Sequence, residues 1–187
     1  MNIIYLAITV LLLFIPIIVI IIAFFFVWHL IITRRAPFVP IPKAVLGEIV
    51  KALELRPNSV LFDLGCGDGR VLLAAQAGQP KAKFVGIDIS WLPITLARWR
   101  IRLGKARNIK LTHGSFFKQD LTPATHVFTY LFPEIMNQLL PKLKQELHPG
   151  TRLVSCDFQF NELTPQRIIN LNRPHKALGQ RLFVYEF

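Results

Sequence analysis

Acidic side chains are scarce in this 187-residue chain: eleven Asp and Glu stand against twenty-two Lys and Arg, a formal net charge of +11. Charge of either sign is missing altogether from residue 3 to residue 32. No Lys or Arg precedes that apolar run, it is about twice the usual signal length, and no small-x-small site closes it, which together exclude a cleavable signal peptide. Cysteine occurs only at Cys66 and Cys156, too sparse for a disulfide framework and ordinary for a reducing compartment. The five His residues lack metal-ligand spacing, and His113, His126, His148 and His175 read as loop or strand-end residues, so no metal is expected. No internal repeat is present, and low complexity is confined to the apolar run.

That run is Ile, Leu, Val and Phe with few interruptions. As a helix of about thirty residues it reaches roughly 45 Å, against a hydrocarbon core of about 30 Å. An uncleaved membrane anchor is therefore expected, with Pro16 as a candidate kink and Trp28 and His29 at the headgroup boundary. Arg34, Arg35 and Lys43 follow closely, so the positive-inside rule puts the rest of the chain in the cytoplasm. That remainder carries all of the net charge and is drawn to anionic lipid headgroups. Nucleic acid favours the same sign of charge, but the cations are scattered without an aromatic-interleaved platform, so the expected partner is a membrane.

Beyond the anchor and its basic flank (1–35), Pro37, Pro40 and Pro42 favour an extended path, and Phe38, Val39 and Ile41 argue that it packs against the adjoining domain. Apolar residues at Val45, Leu46, Ile49, Val50 and Leu53 then recur at helical spacing over 43–55. Residues 36–58 form a proline-rich lead-in with a pre-domain helix, and 59–187 a single domain. Within it, strand-like runs at 59–64, 83–88, 108–112, 125–131 and 151–156 alternate with helical stretches at 70–77, 94–103 and 135–147. Two weaker β runs, 168–171 and 181–187, read as a closing hairpin. Such alternation specifies an α/β fold with a mostly parallel sheet.

One stretch organises the domain: Val60-Leu61-Phe62-Asp63-Leu64-Gly65-Cys66-Gly67-Asp68-Gly69-Arg70. It reads as strand, tight glycine loop and helix, which lets a ligand rest on bare backbone. A dinucleotide loop requires G-x-G-x-x-G, whereas here Arg70 follows the third of three alternating glycines. Asp63 and Asp68 would also repel a pyrophosphate, and a cationic ligand would be welcome. A glycine turn that holds no ligand is the bland alternative.

The pattern D-x-G-x-G-x-G after a strand, with Asp88 ending the next strand, resembles the class I methyltransferases that use S-adenosylmethionine (SAM). The resemblance implies a Rossmann-like, doubly wound, seven-stranded sheet. It implies cofactor contacts from Asp63 to the methionine half, from the Gly65, Cys66, Gly67 and Gly69 bend, and from Asp88 to the ribose hydroxyls. It puts adenine beside Ser115 and Phe116, although relatives often carry an acid there and Phe116 reads equally as core. The substrate side then begins at Tyr130-Leu131-Phe132-Pro133-Glu134. The N/D-P-P-Y/F box of nucleic-acid and glutamine N-methyltransferases is missing there, and Phe132-Pro133 reads equally as the start of a helix.

The Pro37 to Pro42 segment, the glycine loop, and Tyr130-Leu131 leading into residues 140–147 look like one narrower group, the small protein lysine methyltransferases. These include archaeal enzymes and membrane-anchored mitochondrial ones acting on the adenine nucleotide translocase and on ATP synthase. Ile41 stands where relatives often have Thr, and Asp157-Phe158-Gln159-Phe160 matches their post-strand segment loosely. A lysine acceptor must shed a proton, and Tyr130, Glu134 or Asp157 is placed to guide it out. The expected activity is lysine N-methylation of a membrane-associated protein, against two alternatives: a lipid or quinone methyltransferase, and a SAM-binding module without turnover.

Overall fold

Five parallel strands, three of which feed α-helices through short loops, all end on one edge of a single sheet, and that edge is where the chemistry-bearing side chains collect. The structure, a computed structural model, describes residues 3–33, 39–174 and 178–187. Arg34, Arg35, Pro37, Phe38 and His175 lie outside the described residues, as does the side chain of His29.

The apolar run forms one helix, α1 (Ile3–Thr33), which carries Pro16 inside it without ending. It is long and apolar enough to cross a membrane, and its side chains from Leu11 to Trp28 are exposed. The rest of the chain, Phe38–Phe187, forms a second unit.

In that unit a 3-10 turn (Lys43–Val45) leads into α2 (Leu46–Leu53), which stops where Glu54 turns left-handed at φ 51°. The strands and helices follow in order as β1 (Val60–Leu64), α3 (Arg70–Gly78), β2 (Lys83–Asp88), α4 (Trp91–Leu103), β3 (Ile109–His113), β4 (His126–Thr129), α5 (Pro133–Glu146), β5 (Arg152–Cys156), β6 (Arg167–Asn170) and β7 (Arg181–Glu186). The sheet order is β3-β2-β1-β4-β5-β7-β6. β1 to β5 run parallel, and β7 inserts antiparallel between β5 and β6. Strand order reverses between β1 and β4, the switch point at which doubly wound sheets open a ligand crevice.

Several elements begin or end elsewhere than their sequence pattern expects. α4 starts three residues before Ile94, because Pro93 falls in its first turn, where a missing N–H costs no helical bond. β4 stops at Thr129, so Tyr130 and Leu131 leave the sheet, and Pro133 opens α5 at a permitted first-turn position with Phe132 before it.

Each sheet face has its own core. One joins Ile41, Ile49 and Leu53 with α3 residues Val71, Leu72 and Ala75 over Leu61, Phe84, Phe128 and Val154. The other sets Met136, Leu139, Leu140 and Leu143 of α5 against Phe62, Leu64, Ile87, Val127 and Leu153. Ile41 of the proline-rich lead-in is thus a core residue, and Arg70 fastens the same segment by donating to the Ile41 carbonyl at 2.5 Å.

Candidate active site

The glycine loop is built on the end of β2. Gly65 and Cys66 both donate N–H to the Ile87 carbonyl, at 2.8 and 3.1 Å, and Gly69 donates back to Cys66 at 2.9 Å. Gly65, Gly67 and Gly69 have φ of 81°, 53° and 73°, the left-handed region that a side chain disfavours. Gly69 is further constrained by α4, because a Cβ there would lie 3.1 Å from Ala97 Cβ.

Asp88 locks the bend from below. Its Oδ2 accepts from the Gly67 N–H at 2.8 Å and its Oδ1 from the Ser90 N–H at 2.7 Å. Each carboxylate oxygen retains further acceptor capacity at the crevice edge. Gly114 N–H donates to the Asp88 carbonyl at 2.8 Å, which brings Ser115 and Phe116 to the same edge. Phe116 is half-buried against the α5-side core and tilts against Phe117.

Asp63 is the anomaly of the site. It is buried, 2% exposed, and its Oδ2 has no hydrogen-bond partner among the described residues. Burial, with Asp88 and then Asp68 nearby, raises its carboxyl well above the usual range. Burial likewise pushes the Cys66 thiol up, helped by Asp63 and Asp88, so Cys66 is a neutral wall. Asp68 serves differently from the sequence expectation that it lines the turn against pyrophosphate. It pairs with Arg70 and Arg100, which overcome the effect of burial and hold its carboxyl below the usual range. Its charge therefore goes into fastening α3 to α4.

On the acceptor side the structure brings Tyr130 and Asp157 together and leaves Glu134 apart, exposed in the first turn of α5. Burial and the neighbouring Asp157 carboxylate raise the Tyr130 hydroxyl, which stays protonated at neutral pH. Asp157 is left-handed at φ 62°, and its carboxylate accepts from the N–H groups of Gly179 (2.7 Å) and Gln180 (2.6 Å). It clasps the end of β5 to the start of β7.

Sequence reasoning missed two participants. Phe158 stacks with Tyr130 at a ring-centroid distance of 6.2 Å and lies 5.8 Å from Phe132, forming an aromatic wall from the ends of β4 and β5. Gly86, inside β2, leaves room for the loop, because a Cβ there would lie 2.5 Å from Leu72 Cδ1 and 2.9 Å from Cys66 Sγ. A glycine in a strand is the signal that could have found it.

A buried acid with an unsatisfied oxygen, beside a bend of bare backbone and a second acid at the next strand end, fits a ligand with a positive charge and vicinal hydroxyls. SAM has both, and the residues present fit it.

Comparison with known proteins agrees. Residues 63–167 match the ANTKMT methyltransferase domain family. A protein-lysine N-methyltransferase of Saccharolobus islandicus (strain REY15A) is 33% identical over 138 residues, 73% of this chain and 86% of that protein. The ATP synthase C-subunit lysine N-methyltransferase of Rattus norvegicus is 35% identical over 132 residues, 69% of this chain, which spans only 59% of the rat protein's length. Among solved structures, an RNA methyltransferase from Salinibacter ruber in complex with S-adenosyl-L-homocysteine superposes with a TM-score of 0.73 at 32% identity, covering 79% of this chain and 93% of that one. The chain belongs to the ANTKMT methyltransferase domain family and is a SAM-dependent methyltransferase.

Proposed function

We propose that this enzyme N-methylates lysine side chains of a membrane-associated protein, and that α1 anchors it in the same membrane with the remainder on the cytoplasmic side. The observation that carries the cofactor half of this reading is the unpartnered, buried Asp63 oxygen beside the glycine bend. The acceptor half is supported by the lysine specificity in the names of the archaeal and rat relatives, the second of which names a component of ATP synthase as its acceptor.

SAM supplies an electrophilic methyl group on a sulfonium centre. The chain's part is to bind, orient and exclude water. Asp63 takes the positive amino group, the Gly65 to Gly69 backbone admits close approach, Asp88 accepts from the ribose hydroxyls, and Ser115 and Phe116 flank adenine. A lysine with an ordinary pKa near 10.4 is neutral in only about one molecule in a few thousand at pH 7, a cost of roughly 4 to 5 kcal/mol. The wall of Tyr130, Phe132 and Phe158 offers the amine a partly desolvated slot, which lowers that cost. Asp157, held in place by backbone N–H groups, orients the Tyr130 hydroxyl, and the proton released by the amine leaves past this pair to water.

The test incubates the full chain with radiolabelled SAM and isolated membranes. Label in methyl-lysine after hydrolysis of a membrane protein band is the expected result. Label confined to extracted lipid would instead establish a lipid or quinone acceptor, and cofactor uptake without label in any fraction would establish a binding module. A second reading, RNA methylation, draws on the name of the Salinibacter neighbour and predicts label that ribonuclease removes.

A further inference from the structure

Helix α4 turns its apolar side the wrong way for a soluble helix. It buries Pro93, Ile94 and Ala97, and at about 3.6 residues per turn the opposite side carries Leu92, Leu96, Trp99 and Leu103. Leu92 is 72% exposed, Trp99 61%, Leu103 62% and the preceding Trp91 65%. Arg98 and Arg102 run along one flank of this stripe. Arg98, Arg102, Lys105 and Arg107 carry no ion pair among the described residues. Between Asp88 and Asp120 the chain is basic throughout and has no acid. The stripe also reaches the sheet's carboxyl edge, since exposed Ile89 and Phe117 follow the ends of β2 and β3.

We propose that the outward face of α4 docks on the anionic surface of a lipid bilayer, with Trp91, Leu92, Trp99 and Leu103 entering the headgroup boundary and the flanking cations meeting phosphate groups. The inference deepens the membrane reading above and rests on it. An apolar stripe of Trp and Leu bordered by Arg is the composition of helices that lie in the interface plane. The uninterrupted positive charge matches a uniformly anionic sheet, which attracts each well-placed cation near its surface. The same chain carries α1, long and apolar enough to cross a bilayer. Docking by α4 turns the carboxyl edge, with Asp88 beside it, toward acceptors that emerge from the membrane.

The chain's three Trp residues, Trp28, Trp91 and Trp99, separate the two readings. Full-length Trp28→Phe protein is reconstituted into vesicles of acyl-brominated phosphatidylcholine mixed equally with phosphatidylglycerol, or of the brominated lipid alone. Quenching and a blue shift of Trp91 and Trp99 emission are expected in the anionic vesicles only. Arg98→Glu combined with Arg102→Glu should weaken docking by about tenfold or more while cofactor binding is retained. Emission left unquenched in anionic vesicles overturns the proposal, as does equal quenching in both vesicle types or shielding that appears only on addition of a soluble protein. A Trp91→Phe, Trp99→Phe protein reports Trp28 alone. If Trp28 escapes quenching, the anchor reading fails, whereas docking is still decided by Trp91 and Trp99.

Discussion

At the scale of single residues, Asp63 sets stability against the cofactor role proposed for it. In the unfolded chain its carboxyl titrates near the ordinary value of about 3.9, and burial raises it in the fold. The stability it contributes is therefore whole below that value and is lost as pH rises through the raised one. Asp63→Asn should unfold at a higher temperature than the parent near neutral pH, with the difference closing toward about pH 4. The same substitution should weaken SAM binding by about tenfold to a hundredfold, the usual worth of a charged hydrogen bond. Calorimetry should find parent affinity rising with pH and variant affinity nearly flat. His126 has the opposite sign. Burial, then Arg152 and Arg56, hold it down to about 4, so its contribution is present above the ordinary value of 6.5 and is lost as pH falls through about 4. His126→Asn should flatten the acid limb of a stability profile measured across that window. The place of Asp63 was legible in the chain because it needs only a strand, a bend and an acid at fixed spacing. His126 was not, since its shift depends on Arg56 and Arg152 from distant segments.

At the scale of elements, the clasp made by Asp157 decides how β7 enters the sheet. Asp157→Ala strips the Gly179 and Gln180 N–H groups of their acceptor and should cost about 2 to 4 kcal/mol in denaturant unfolding. Asp157→Asn keeps one acceptor oxygen and should cost less. If Asp157 also orients Tyr130, the Asn variant lowers kcat more than its stability loss explains; equal kcat at full folding would leave the residue a clasp alone. Gly86→Val should destabilise by about 1 to 3 kcal/mol, because β2 has no room for a side chain against Leu72, Leu111 and Cys66. The strands and helices around these residues were readable from hydrophobic period. The placement of β7 between β5 and β6 was not, because a hairpin's local pattern is the same whichever of its strands faces the sheet.

For the whole molecule, the charge of +11 is a statement about surroundings. Raising salt shortens electrostatic reach from about 10 Å at 0.1 M to about 3 Å at 1 M. Methylation of a membrane-borne acceptor should therefore fall several-fold across that range, with SAM affinity in the buried crevice unaffected. The alternation of apolar runs with glycine and proline breaks determined by itself that the chain has one long apolar helix and an α/β sheet, and the acids set among the glycines of the bend favoured a cationic ligand. Those signals are local: period, turn chemistry and reach along the chain. Tertiary structure alone decided that Asp68 faces Arg70 and Arg100, that Phe158 completes a wall with Tyr130 and Phe132, and that α4 turns Leu92, Trp99 and Leu103 to the outside. Each of these depends on which segments the fold sets side by side, and an apolar residue at helical spacing reads the same along the chain whether its helix buries it or presents it to a membrane.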